Sequence, residues 1–235
     1  YLLKNFVSAG IPCLGIEPTV STASAAEALG IPVLRKFFNS NTAERIVNES
    51  ARADLVIGNN VYAHVPDIND FTKALKTILK PRGVVTLEFP HILKLIEENQ
   101  FDTVYHEHFS YLSLYTVSKI FKQTGLKIWD VEHLGTHGGS LRIYGCHIDD
   151  PRDTETSVEK SLTEEHIYGL QQLATYQGFQ SCADRIKTDL LNFLIEQKCS
   201  GKAVAAYGAA AKGNTLLNYA GVKLDLLPYV CDAAP

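Results

Sequence analysis

The stretch D-L-V-I-G-N-N, residues 54–60, decides the fold class. After Asp54 it is apolar up to two asparagines, as is typical of a parallel strand covered on both faces. The stretch G-V-V-T-L-E-F-P, residues 83–90, repeats this character. Between them, residues 67–80 carry apolar side chains at helical spacing. Two buried strands joined by a helix predict a parallel β-α-β unit.

The same alternation continues towards the N-terminus, so we predict a doubly wound α/β sheet. Further strands are expected within 11–18 and 31–38, and further helices within 1–10, 21–30 and 39–53.

Beyond residue 113 the pattern changes. A helix over 114–125 precedes two strands within 126–148, which we expect to pair antiparallel and finish the sheet. The polar residues 150–158 indicate a linker, and a long helix follows over 159–198 with Gly169 and Gly178 as weak points. The chain then begins a new strand–loop–helix unit. We therefore predict two domains, 1–149 and 150–235.

Charge and cysteine content exclude several classes of protein. The net charge is −4 and the isoelectric point is near 6.1, which predicts no nucleic-acid and no membrane partner. The five cysteines are scattered and form no CxxC pair, so we expect reduced thiols in a cytoplasmic protein and no metal site in this chain.

Glu17 follows an apolar strand and precedes Pro18. An acidic residue at the end of the second strand holds ribose hydroxyls in nucleotide-binding α/β folds. With Phe38, Asn59 and Asn60 it forms the predicted cofactor-binding set. The glycine-rich loop of such folds would precede Tyr1. A solvated carboxylate at a strand end is the alternative.

The motif Y-H-E-H-F-S-Y, residues 105–111, is the sharpest feature. Removal of a proton next to a carbonyl needs a base with a pKa near working pH, which histidine supplies. A nearby carboxylate orients such a base, and a tyrosine hydroxyl donates to a developing enolate. Two histidines on one metal ion, or ordinary surface histidines, are the alternatives.

Other polar clusters flank predicted strands. Tyr62 and His64 follow the asparagines, in a loop that could also be an ordinary turn. The segment of residues 136–142, T-H-G-G-S-L-R, could bind a sugar or a phosphate. A hairpin turn is the alternative. Lys212 lies where a strand meets a helix, a junction that can cradle phosphate. The predicted substrate-binding residues are Tyr62, His137, Ser140, Arg142 and Lys212.

Six segments together resemble the sugar C-methyltransferases that methylate C3 of dTDP-4-keto-deoxysugars. They span nearly the whole chain: G-I-E-P-T, N-N-V-Y-A-H-V-P-D, E-F-P-H-I, F-D-T-V-Y-H-E-H-F-S-Y-L-S-L, G-T-H-G-G-S-L-R-I-Y and Y-G-A-A-A-K-G-N-T-L-L-N-Y. The resemblance implies a Rossmann-like class I methyltransferase sheet followed by the start of a second α/β domain. A zinc-binding domain, the only place where zinc is expected, and the glycine loop would precede Tyr1.

The resemblance also implies roles for individual residues. His108 would remove the C3 proton with Glu107 beside it, and Tyr105 and His64 would line the sugar and stabilise the enolate. Glu17 would hold the ribose of the cofactor, S-adenosylmethionine. The substrate would be a nucleotide-linked keto-deoxysugar.

Two other classes of function remain open. Y-T-V-S-K, Tyr115 to Lys119, has the YxxxK spacing of short-chain dehydrogenases, but position 102 is Asp where their serine is expected. The alternative enzyme is therefore an NAD(P)-dependent nucleotide-sugar oxidoreductase. The third class is a non-catalytic sugar-nucleotide-binding module, which would have no need of a base such as His108. Composition leaves the oligomeric state open.

Overall fold

The computed structural model describes residues 2–233 as a mixed α/β protein. The helices in this range are Leu3–Ser8 (α1), Val20–Glu27 (α2), Ser40–Glu49 (α3), Ile68–Ile78 (α4), Ile92–Glu97 (α5), Leu114–Thr124 (α6), Thr156–Tyr168 (α7), Ala174–Gln177 (α8), Phe179–Cys199 (α9) and Ala211–Ala220 (α10). The strands are Gly15–Ile16 (β1), Val33–Leu34 (β2), Ala53–Asn59 (β3), Leu79–Pro90 (β4), Leu126–Leu134 (β5), Ser140–His147 (β6), Ala206–Tyr207 (β7) and Val230–Cys231 (β8).

The central sheet has the strand order β3-β4-β6-β5. Strands β3 and β4 are parallel, whereas β6 runs antiparallel to both β4 and β5. Strands β1 and β2 form a separate parallel pair, as do β7 and β8. The α/β class, the parallel β-α-β unit and the terminal antiparallel pair are thereby confirmed.

The principal core lies between this sheet and helices α4 and α6. Helix α4 faces it with Phe71 and Leu75, both buried. Asp67 caps α4 by accepting a hydrogen bond from the Asp70 N–H at 2.9 Å. A second, smaller cluster joins α3 and α4 to the β1–β2 pair.

The burial of β3 differs from the prediction. Leu55 is 44% exposed, and Asp54 and Asn59 are also exposed. Strand β3 ends the four-strand order and so has one neighbouring strand, β4. Because the adjacent residues Asp54 and Leu55 point to opposite faces, both faces of β3 are open at this end. The expectation of a strand covered on both faces was therefore wrong, although its parallel pairing was right.

The region after β6 is more tightly bound than a linker. The Lys127 ammonium donates to the carbonyls of Asp150 and Arg152, both at 2.7 Å, and the Glu155 N–H donates to the Trp129 carbonyl at 2.8 Å. Helix α7 then contributes Val158 to the principal core. The helix assigned to the second unit thus packs on the sheet of the first, and the division at 149/150 stays a prediction.

The long helix predicted over 159–198 is interrupted at both of its weak points. Gly169 ends α7 in a left-handed conformation, with φ of 87°. Gly178 separates α8 from α9. A left-handed residue cannot continue a right-handed helix, and glycine adopts that conformation without steric cost.

Candidate active site

Residues 105–111, named the catalytic segment after their predicted role, are held beside a 3-10 turn, Tyr62–His64. The carbonyl of Ala63 in that turn accepts hydrogen bonds from the N–H groups of Phe109 at 2.9 Å and Ser110 at 3.2 Å. Two bonds to one carbonyl bring the segment against the residue that precedes His64. This is how two stretches far apart in sequence place their histidines together.

His108 lies at the centre of an aromatic group. Its ring centroid is 4.7 Å from that of His64, 4.4 Å from that of Tyr105 and 6.1 Å from that of Tyr111. The structure therefore brings together three of the four predicted catalytic residues. Tyr111 was not singled out from the sequence, although it closes the same motif.

The hydrogen bonding of His108 fixes which nitrogen is basic. Its Nδ1 lies 2.8 Å from the carbonyl oxygen of Thr103. Because a carbonyl only accepts, Nδ1 must carry the hydrogen and Nε2 keeps its free lone pair. Burial lowers the pKa of His108, and the His64 and Lys212 charges act in the same direction, against opposing effects of Thr103 and Glu107. The imidazole is thus neutral, and available as a base, to lower pH than an ordinary histidine.

Tyr105 is set up as a hydrogen-bond donor. Burial raises the pKa of its phenol, and the negative charges of Glu107 and Asp102 raise it further. A raised pKa keeps the hydroxyl protonated across the physiological range. Glu107 itself is exposed and influences the site through its charge.

The predicted cofactor residues lie at strand ends, as expected for ligand sites in α/β sheets. Glu17 directly follows β1, and its Oε1 accepts from the Thr19 N–H at 2.8 Å. Asn59 is the last residue of β3. Asn60 adopts a left-handed φ of 52°, and its N–H donates to the Glu88 carbonyl at 2.8 Å.

The side chain of Asn60 carries an unsatisfied acceptor. Its Oδ1 is buried and has no hydrogen-bond partner among residues 2–233. Buried polar atoms are nearly always bonded, so this oxygen fits a ligand that brings a donor. Phe38, by contrast, packs edge-to-face on Phe71 with centroids 5.2 Å apart, in contact with both hydrophobic clusters.

Three predicted substrate contacts turn out to be engaged within the protein. The Tyr62 ring is fully buried, burial raises its pKa, and its hydroxyl bonds the Thr72 hydroxyl at 2.7 Å. Ser140 is buried and donates to the Thr136 carbonyl at 3.0 Å. Arg142 donates to two carboxylates. Each of these side chains has a partner within the protein, and its role in binding the substrate stays a prediction.

The carboxylate of Glu88 holds the Arg142 side chain in its orientation. Glu88 is buried near the end of β4, in register with Asn59 on one side and Arg142 on the other. Its carboxylate accepts from the Arg142 guanidinium at 3.0 Å and from the Thr136 hydroxyl at 3.0 Å, and Arg142 also donates to Glu132 at 3.2 Å. Cross-strand register, which local sequence does not reveal, assembles this polar row.

His137 and Lys212 do come together. His137 lies in the left-handed region at φ of 55°, and its carbonyl accepts from the Lys212 ammonium at 3.4 Å. Helix α10 packs just before the catalytic segment, where the ring centroids of Tyr219 and Phe101 lie 5.1 Å apart, and the Lys212 charge lowers the pKa of His108. The close approach at Gly138 serves an intramolecular contact, because its carbonyl accepts from Gln100 at 2.6 Å.

Other candidate features lie apart from this site. An open groove between α5 and α7, lined by Leu93, Glu164 and Ile167 among others, contains none of the predicted site residues. Lys119 of the YxxxK spacing sits over the ring of Tyr115, 4.2 Å from its centroid. Over residues 2–233, His, Cys, Asp and Glu side chains form no group of three placed to hold a metal ion. No helix in that range is long and apolar enough to cross a membrane.

Comparison with known families identifies the chain. The family described as "Methyltransferase domain" matches residues 1–131, more than half of the sequence. The chain belongs to this family. This membership confirms the predicted methyltransferase domain.

The rest of this methyltransferase matches a second family, described as "C-methyltransferase C-terminal domain", over residues 135–235. A relative, C-methyltransferase NovU from Streptomyces niveus, is 32% identical over 220 residues, which are 94% of this chain and 52% of NovU. The methyltransferase thus spans about half the length of this relative. Neither family nor NovU is an oxidoreductase.

Solved structures are similar at a lower level. A SAM-dependent methyltransferase from Anabaena variabilis is 13% identical with a TM-score of 0.49, over 62% of this chain and 72% of its own. Magnesium protoporphyrin IX methyltransferase from Synechocystis, with bound SAH, is 15% identical with a TM-score of 0.47, over 62% and 68%.

Proposed function

We propose that this methyltransferase transfers the methyl group of S-adenosylmethionine to carbon, at the position next to the ketone of a nucleotide-linked keto-deoxysugar. The observation that carries the proposal is His108, a half-buried imidazole whose Nδ1 is bound to a carbonyl, which leaves the basic lone pair on Nε2. A carbon acid next to a ketone needs such a base. O- or N-methylation has less need of one, because those atoms already carry lone pairs.

The protein's own residues divide the work. Nε2 of His108 takes the proton from carbon, and the electron pair moves into the carbonyl to give an enolate. The Tyr105 hydroxyl, kept protonated by its raised pKa, donates to the enolate oxygen. His64, beside His108, lines the same space. The imidazolium formed on His108 then returns its proton to solvent.

S-adenosylmethionine, when bound, supplies a methyl group activated by the positive sulfur. Glu17, Asn59 and Asn60 are the residues we propose to hold it. The Glu17 carboxylate would accept from ribose hydroxyls, and the unsatisfied Oδ1 of Asn60 would accept a donor of the ligand. The cofactor role of Phe38, which packs between the two clusters, stays a prediction.

His137 and Lys212 are proposed to face the substrate. Both lie near the catalytic segment, and Lys212 adds a positive charge suited to the diphosphate of a nucleotide sugar. A nucleotide-sugar substrate, the absence of a nucleic-acid partner and a cytoplasmic location stay predictions.

Isothermal titration of S-adenosylmethionine and its product SAH, with NAD as control, tests the cofactor. Proton exchange in D₂O, with a dTDP-linked 4-keto-deoxysugar and SAH, tests the base. Binding of SAH together with deuterium uptake next to the ketone supports the proposal. Binding of NAD without SAH would favour the oxidoreductase, and SAH binding without deuterium uptake would place the methyl group elsewhere than on carbon.

A further inference from the structure

Glu165, far from the catalytic motif in sequence, is a buried carboxylate with a complete set of donors. Its side chain is 1% exposed. Oε1 accepts from Nε2 of His91 at 2.7 Å and from the Leu114 N–H at 2.5 Å, and Oε2 accepts from the Tyr115 N–H at 2.9 Å. Burial of a carboxylate is costly without such partners. The site is therefore built to keep a charge in place.

Leu114 and Tyr115 are the first two residues of α6, whose N–H groups have no partner within the helix. Ser113 accepts from the next N–H, that of Thr116, at 3.1 Å. Glu165 and Ser113 together bind the first turn of α6, and the negative charge lies at the favourable end of the helix dipole. Helix α6 starts three residues after the end of the catalytic segment, so Glu165 fixes the exit of that segment.

His91 extends this attachment to the end of β4. Its own N–H donates to the Gly139 carbonyl at 3.0 Å, and the N–H of the next residue, Ile92, donates to the Leu112 carbonyl at 3.0 Å. Leu112 follows the catalytic segment directly. Because a carboxylate only accepts, Nε2 of His91 carries the hydrogen. His91 and Ile92 thus join Leu112, the backbone of Gly139 and Glu165 at one point.

We propose that Glu165 is a positioning residue for His108. The Thr103 carbonyl holds the His108 ring, the Ala63 carbonyl holds the backbone that follows it, and Glu165 holds the helix that begins beyond the segment. Loss of the exit anchor leaves His108 free to leave the Thr103 carbonyl, which orients its basic Nε2. The assignment of His108 as the base rests on the proposed function, whereas its fixed orientation does not.

The test replaces Glu165→Gln, with Glu164→Gln as the matched control one residue earlier on the exposed face of α7. Glutamine keeps one acceptor but turns an NH₂ group towards donors. We expect ¹⁵N NMR of the His108 ring to lose its single Nδ1–H tautomer in E165Q and to keep it in E164Q. Deuterium uptake by the keto-sugar should fall roughly 10- to 100-fold in E165Q, the scale of a misplaced catalytic group.

A folded E165Q protein with the wild-type His108 tautomer and wild-type uptake would overturn the proposal. A wild-type protein without uptake would contradict the proposed function, and the tautomer would still decide the positioning role. If E165Q does not fold, the pair His91→Gln and His91→Leu decides. Glutamine can donate to Glu165 and should preserve the His108 tautomer, leucine cannot and should not, and equal results from both would refute the proposal.

Discussion

The catalytic segment and the strand ends that we propose for the cofactor are built in opposite ways. His108 is bound at Nδ1, and the backbone around it is tied to Ala63 and, beyond it, to Ile92 and Glu165. At the strand ends, Glu17 bonds the N–H two residues away, and Oδ1 of Asn60 has no partner within residues 2–233. The protein itself orients the proposed base, whereas the strand ends proposed for the cofactor offer acceptors that a ligand would satisfy.

This difference leads to the largest expected effect. His108→Ala removes the imidazole that we propose as the base. Deuterium uptake by the keto-sugar should therefore fall by about 10²- to 10⁴-fold, while SAH affinity stays unchanged. His106→Ala, in the same motif but exposed, is the matched control. An equal loss of uptake in both variants would show that His108 is not the specific base.

At the strand ends proposed for the cofactor we expect a smaller effect, on SAH affinity. Glu17→Ala should weaken SAH binding by roughly 10- to 100-fold, because hydrogen bonds to a charged group contribute about 1.5–3 kcal/mol. The exposed Glu44→Ala serves as the control in the same titration. Unchanged affinity in Glu17→Ala would remove this residue from the cofactor site.

A substitution at Tyr62 distinguishes a structural role of its hydroxyl from a contact with the substrate. Tyr62→Phe keeps the ring in the core but removes the hydrogen bond to Thr72, which itself still donates to the Ile68 carbonyl. We expect a loss of about 1 kcal/mol in the free energy of unfolding, measured with urea, and an unchanged KM for the sugar nucleotide. A raised KM would show that Tyr62 contacts the substrate.

The smallest effect concerns pH. A base works in its neutral form, so deuterium uptake should rise with pH and level off above the pKa of His108, with a midpoint below the usual value near 6.5. Lys212→Ala removes a charge that lowers this pKa, so the midpoint should move upwards. The exposed Lys202→Ala should leave it in place. An unchanged midpoint in Lys212→Ala would show that the Lys212 charge does not act on His108.

Local sequence predicted the parts of the site whose position depends on the chain itself. Gly169 and Gly178 interrupt the long helix because helix propagation is a local property. Asn59 and Asn60 mark the end of a strand because asparagine favours turns, which is also a local property. Within the segment 105–111, the spacing alone places Tyr105 and His108 near each other, since the His108 N–H bonds the Tyr105 carbonyl at 3.1 Å.

The sequence by itself therefore determined the α/β class, the strand ends and the candidate base. Only the tertiary structure decided which polar side chains face the site. Tyr62 turns inward because Phe71 and Phe89 surround its ring, and Arg142 is taken up by Glu88 through strand register. Glu165 meets Leu114 across 51 residues of sequence. Such contacts depend on how elements pack, which periodicity and spacing within one element do not encode.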